Sequence, residues 1–78
     1  MVAMNAVVEL SERIAREFNP EKIILFGSHA YGTKNEYSDV DLLVLMRFEG
    51  HSFDKSMEIL NTIDPDFSVD VIVRDPLD

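Results

Sequence analysis

Three aspartates placed at two points of the chain could together hold a divalent metal ion. Asp39 and Asp41 form an Asp-Val-Asp motif at the start of one apolar run, and Asp70 lies inside a later one. Residues two apart in a strand point to the same face, so Asp39 and Asp41 would project together, with their Cβ atoms about 6–7 Å apart. Magnesium takes such carboxylate oxygens while keeping sites for water and substrate phosphates. Asp70 would join the pair if the second and third strands are neighbours.

A second motif, Gly27-Ser28, ends the apolar run that precedes the aspartates. Glycine lets the backbone approach a phosphate closely, and Ser28 adds a hydroxyl and an N–H donor. Clustered carboxylates repel one another unless a cation is bound, which favours a metal site. A phosphate-holding turn beside metal-binding carboxylates is the set that nucleotidyl transfer requires, because the metal ions carry the triphosphate and activate the attacking hydroxyl.

Two other phosphate- or metal-binding motifs fail on specific residues. The run from Gly27 to Gly32 begins like a P-loop, but Thr33-Lys34 reverses the required order of lysine and hydroxyl residue. An EF-hand beginning at Asp39 would place Val44 at its glycine position and Gly50 at its closing glutamate position.

Length and composition indicate the number of domains and argue against several kinds of ligand and site. With 78 residues we expect one small domain covering 1–78, and 46% apolar residues are typical of a globular chain. The net charge of −8 argues against direct binding of nucleic acid, whose phosphates need lysine and arginine. The absence of cysteine excludes disulfides and zinc-thiolate sites. We see neither a signal peptide nor a bilayer-spanning apolar run, so we expect a cytoplasmic protein with no membrane contact.

The apolar periodicity predicts the order helix, strand, turn, strand, helix, strand, an α/β arrangement with a small sheet. The first helix ends at Asn19-Pro20, and the second strand, 39–46, reads as a central strand covered on both faces. Ser52 is the predicted N-cap of the second helix. We expect the inner face of that helix to carry Phe53, Met57, Leu60 and Ile63.

At Gly27-Ser28, Asp39-Val40-Asp41 and Asp70, the chain resembles the minimal nucleotidyltransferases of the DNA polymerase β-like superfamily. The resemblance is close over 26–44 and extends to nearly the whole chain by element order. It implies an α+β nucleotidyltransferase fold, with a small mixed sheet flanked by helices. It also implies that Asp39 and Asp41 bind magnesium, with two ions expected, that Asp70 assists as base or third ligand, and that Gly27 and Ser28 hold the triphosphate of ATP.

Members of this superfamily are often antitoxins that act on a small helical partner of the HEPN type. The resemblance therefore implies transfer of AMP from ATP to a protein hydroxyl of such a partner. One departure is Tyr31, since many relatives carry a basic residue at about this position.

Two further functions stay open at this stage. The chain would be a binding module that neutralises its partner by occlusion if the site is catalytically weak. Alternatively, it would be a subunit of a small-molecule nucleotidyltransferase. Self-association is also compatible with a domain this small.

Overall fold

The structure is a computed structural model, and it describes residues 4–26 and 40–77. Within these ranges the elements follow the predicted order. In chain order they are helix α1 (Met4–Phe18), strand β1 (Lys22–Phe26), strand β2 (Val40–Leu45), helix α2 (Ser52–Ile63) and strand β3 (Val69–Arg74). Over these same ranges, no helix is long and apolar enough to cross a membrane.

The strands form one mixed sheet in the order β1-β2-β3, so β2 is central. Strand β1 runs antiparallel to β2 in a register that pairs Lys22 with Leu45 and Phe26 with Asp41. Strand β3 runs parallel to β2, with Asp41 opposite Asp70. The predicted α+β fold with a small mixed sheet is confirmed.

One face of the sheet forms the core together with both helices. Strands β2 and β3 alternate strictly, and the side chains on the inner face are buried. Helix α1 contributes a buried stripe at helical spacing, and α2 contributes two isoleucines to the same cluster. The core residues of the strands and helices are Val7, Leu10, Ile14, Val40, Leu42, Val44, Ile59, Ile63, Val69, Val71 and Val73.

The other face of the sheet, which we call the open face, is only partly covered. Leu43 and Leu45 of β2 are half-buried, whereas their inward neighbours Leu42 and Val44 are fully buried. The prediction that the central strand is covered on both faces is therefore wrong. The apolar residues on its outer side belong to a partly covered sheet surface instead of a second core.

The first turns of helix α2 pack on a face rotated by one residue from the predicted one, whereas Ile63 is buried and Leu60 packs against the core, as predicted. The buried residues of the helix are Ser56, Ile59 and Ile63, whereas Phe53 is 72% exposed and Met57 is 39% exposed. The predicted N-cap is also wrong, because the cap position belongs to His51 and no side chain caps it.

The physical reason for this rotation is a hydrogen bond at the start of α2. Ser52 Oγ donates to the carbonyl of Val73 at 2.6 Å, which ties the first turn of α2 to β3. Ser56 lies one turn further on the same side of the helix, so it also faces the sheet. Phe53 and Met57, each one position along, are thereby turned toward the surface.

Both helices end where the sequence predicts. Asn19 and Asp64 follow the last helical residues with positive φ angles of 49° and 48°, and each donates its N–H back to the preceding turn. Asn and Asp tolerate this left-handed conformation better than most residues, so they terminate a helix at little cost.

Candidate active site

The parallel register of β2 and β3 brings two of the predicted catalytic aspartates side by side. Asp41 and Asp70 are Cα partners, and both follow a buried residue of their strand, so both belong to the open face. Neighbouring strands lie about 4.8 Å apart, which sets the spacing of the two backbones here. The condition for Asp70 to join Asp41, that the second and third strands are neighbours, is therefore met.

The two carboxylates are the donor type that a hard divalent cation takes, and they lie on adjacent strands at one register position. Asp41 is half-buried and Asp70 is exposed, so a shared ion would keep contact with water. Magnesium prefers this situation, because it is reluctant to lose its water ligands and is often held by one or two carboxylates plus substrate phosphates. Val40 and Val71, buried beside them on the inner face, hold the two strands in place.

Three other predicted site residues, Asp39, Gly27 and Ser28, lie outside the described residues. Their assigned roles stay predictions: Asp39 as the second aspartate of the metal pair, and Gly27 and Ser28 as the triphosphate turn. Both ends of the segment that carries them, Phe26 and Val40, belong to the sheet beside Asp41.

The open face consists of three rows of side chains that run across the sheet. Directly paired residues point to the same face, so each row contains one residue from each strand. We name them the acidic row (Phe26, Asp41, Asp70), the apolar row (Ile24, Leu43, Ile72) and the basic row (Lys22, Leu45, Arg74). The acidic row carries the candidate catalytic carboxylates, and the basic row lies at the opposite end of the strands.

The sequence reasoning missed the apolar and basic rows. In the sequence analysis, none of their exposed or half-buried members is named as a site candidate, including Lys22, Ile24, Leu43, Ile72 and Arg74. The signal that would have found them is the two-residue period counted from the aspartates, since residues 43 and 45 share a face with Asp41, and residues 72 and 74 share one with Asp70.

A shallow groove of about 310 Å³ adjoins the acidic row on its outer side. It lies between α2 and β3, an edge strand among the described elements. Its lining combines residues of the helix with Asp70 and the two strand residues that follow it. These residues are Ser52, Phe53, Ser56, Met57, Leu60, Asp70, Val71 and Ile72. An acceptor or partner bound in this groove would contact the site directly.

Comparison with known proteins places this sheet in a defined class. The family model of the nucleotidyltransferase domain matches residues 7–78, nearly the entire chain, and the chain belongs to that family. The superfamily predicted from the Gly-Ser and Asp-Val-Asp motifs is thereby confirmed.

Two relatives refine the comparison. A stretch of 45 residues is 47% identical to a candidate protein adenylyltransferase of Methanocaldococcus jannaschii, and it covers 55% of this chain and 31% of that protein. The crystal structure of a candidate nucleotidyltransferase from Sulfolobus solfataricus matches with a TM-score of 0.71 and 31% identity, over 92% of this chain and 66% of that one. The matched regions are thus about a third of the first relative and about two thirds of the second.

Proposed function

We propose that this chain is a magnesium-dependent nucleotidyltransferase that moves AMP from ATP onto a protein hydroxyl. The observation that carries the proposal is the juxtaposition of Asp41 and Asp70 on the open face of a nucleotidyltransferase domain. The similarity to a candidate protein adenylyltransferase supports a protein as the acceptor.

The side chains divide the chemical work in this proposal. The acceptor hydroxyl attacks the α-phosphorus of ATP, a new P–O bond forms, and the bond to the β-phosphate breaks so that pyrophosphate leaves. Asp70, the more exposed of the two carboxylates, takes the hydroxyl proton. Asp41 and Asp39 hold the cations with Asp70 as a third ligand, and Gly27 and Ser28 hold the triphosphate. Bound magnesium supplies charge neutralisation and lowers the pKa of the hydroxyl.

The proposed acceptor is a small helical protein of the HEPN type, for which this chain would be the antitoxin. Support for the partner comes from the resemblance at Gly27-Ser28 and the aspartates. Modification of a hydroxyl in the partner would silence it without a permanent complex.

Transfer of labelled AMP tests the proposal. The chain is incubated with α-labelled ATP, magnesium and a small helical protein of the HEPN type. We expect label on that protein with the wild type, and a loss of at least a hundredfold with Asp41→Asn, because one cation ligand is removed while the residue size is kept. The matched control is Asp66→Asn, which makes the same charge change at an exposed position outside the sheet.

The circular dichroism spectrum of each variant verifies that the fold is kept. Unchanged transfer by folded Asp41→Asn protein would refute the metal assignment. Label that is lost equally in Asp66→Asn protein would mean that overall charge, and no specific carboxylate, governs the reaction.

A second candidate function is neutralisation of a partner by occlusion. The groove between α2 and β3 favours it, since Phe53 and Met57 expose apolar surface beside the site. Occlusion predicts that Asp41→Asn protein still neutralises the partner and that Phe53→Asp protein does not. Under the catalytic proposal, Asp41→Asn protein should fail to neutralise the partner.

A further inference from the structure

The basic row places two cations on the same sheet face as the candidate catalytic carboxylates. Lys22 and Arg74 are both exposed, and each pairs in register with Leu45, so they flank that residue. Among the described residues the single ion pair joins Lys55 to Glu58, and neither cation of the basic row takes part in one. Within the described ranges, the Arg74 guanidinium donates one hydrogen bond, a long one of 3.4 Å to the neighbouring carbonyl of Val73.

Two unpaired cations on one row stand out in this chain, which has 7 basic and 15 acidic residues. Acidic side chains elsewhere on the molecule would repel an anionic ligand, so these two cations mark a place on the open face where an anion is attracted locally. The apolar row lies between this place and the acidic row.

The distance between the acidic row and the basic row indicates how far apart the interacting groups of a ligand should lie. Asp41 and Leu45 are four residues apart along β2, as are Asp70 and Arg74 along β3, and four strand residues span about 13 Å. Ile24 is 37% exposed and Ile72 is 36% exposed, so both ends of the apolar row are accessible, with the half-buried Leu43 between them. A ligand bound along this face would contact the carboxylates at one end, the apolar row in the middle and the cations at the other end.

We propose that the open face selects an acceptor that carries an acidic group about 13 Å from the reactive hydroxyl, with an apolar side chain between them. Lys22 and Arg74 bind the acidic group, the apolar row contacts the apolar side chain, and the hydroxyl lies at Asp41 and Asp70. This inference rests on the proposed function, because it names the class of acceptor that the same site takes.

The triphosphate of ATP is the competing anion for the basic row, but the chain joins its predicted turn to the acidic end of the strands. Strand β1 ends at Phe26 and β2 begins at Val40, so the segment with the predicted triphosphate turn joins the sheet at the acidic end. Lys22 and Arg74 lie at the other end of the same strands. The acceptor is therefore the ligand that extends over the apolar row.

Binding of designed peptides tests the inference without any transfer reaction. An extended peptide carries tyrosine, leucine two residues on and glutamate four residues on, which reproduces the row spacing. A helical peptide carries the same groups four and eight residues apart, which spans about 12 Å. Each is compared with a version that has lysine in place of glutamate, in magnesium buffer, by chemical-shift changes of the protein amides in NMR spectra.

We expect at least one glutamate peptide to bind about tenfold more tightly than its lysine version, because each ion pair at an exposed site is worth a modest amount and two cations act together. The amide signals of Lys22, Ile24, Ile72 and Arg74 should move. The Lys22→Glu/Arg74→Glu double variant should reverse the preference, and Lys22→Gln/Arg74→Gln should abolish it.

The matched control is the Arg13→Glu/Arg16→Glu double variant on the exposed side of α1, which changes the net charge equally and should keep the preference for glutamate. Equal binding of the two peptide versions by the wild type would overturn the inference. The inference would also be overturned if the Lys22→Glu/Arg74→Glu variant bound ATP more weakly but still preferred the glutamate peptide. The two cations would then bind the triphosphate.

This experiment separates the inference from the proposed function. Asp41→Asn protein, which the proposal makes inactive, should still prefer the glutamate peptide. If the wild type transfers no AMP but still prefers the glutamate peptide, the proposed enzymatic function is refuted and anion binding by the basic row is supported.

Discussion

Replacing Asp70 by asparagine should change the stability of the protein in opposite directions with and without magnesium. Asp41 and Asp70 are registered neighbours on adjacent strands, so without a cation their like charges repel. Asparagine keeps the size of the side chain and removes one charge. The variant should then be the more stable protein in chelator, and the wild type the more stable one when magnesium is bound.

The strand spacing sets the size of the effect. Two unit charges about 5 Å apart interact by about 0.8 kcal/mol in water. Because Asp70 is exposed, we take about 0.5–1 kcal/mol as the gain from removing the repulsion. For a domain of this size that gain raises Tm by about 2–8 °C. Magnesium at ten times its Kd stabilises the wild type by about 1.4 kcal/mol, which exceeds the gain of the variant and reverses the order.

Thermal unfolding followed by circular dichroism measures both effects. One series contains chelator and sodium chloride, and the other contains magnesium chloride at the same ionic strength, so that general screening is equal in the two. Asp66→Asn is the control, and its Tm relative to wild type should be the same in both series. An Asp70→Asn protein that is less stable than wild type in chelator, or that gains as much from magnesium, would refute a shared cation site at these two residues.

Two further predictions test the packing that positions the site. Ile59→Ala should destabilise the protein by about 2–5 kcal/mol because Ile59 is fully buried, whereas Phe53→Ala should cost less than about 1 kcal/mol; urea denaturation that gives equal losses would refute the observed rotation of α2. Ser52→Ala removes the 2.6 Å hydrogen bond to the Val73 carbonyl and should cost about 0.5–1.5 kcal/mol in the same assay, while an unchanged urea midpoint would show that this bond does not anchor the helix.

The sequence was sufficient to predict the order of the elements, and it predicted that Asp70 joins Asp41 on the condition that the second and third strands are neighbours. Val40 and Val69 precede the aspartates as inward-facing residues, so Asp41 and Asp70 had to share the outward face once β2 and β3 were neighbours. A parallel register then placed them opposite each other. This part was predictable because it depends on a two-residue period and a single strand adjacency.

The face of α2 was not predictable in the same way. The helix carries apolar residues on two adjacent sides, so periodicity alone admits two orientations that differ by about 100° of rotation. The choice between them depends on a contact made far along the chain, from Ser52 to the carbonyl of Val73. Burial of the small Ser56 against the sheet follows from that contact, although a sequence reading favours the larger Phe53 for the core.

The order of the acidic, apolar and basic rows on the open face depends on the register of both strand pairs. Lys22 and Arg74 are distant in sequence, and each is unremarkable as the terminal residue of a strand. They belong to one row because the antiparallel pairing of β1 and the parallel pairing of β3 both meet at Leu45. A shift of β1 by one residue would turn Lys22, Ile24 and Phe26 toward the core and remove a third of the face. Burial of Ile23 and Leu25 against the core opposes that shift, so the residues that hold the inner face also fix the side chains available to a substrate on the outer one.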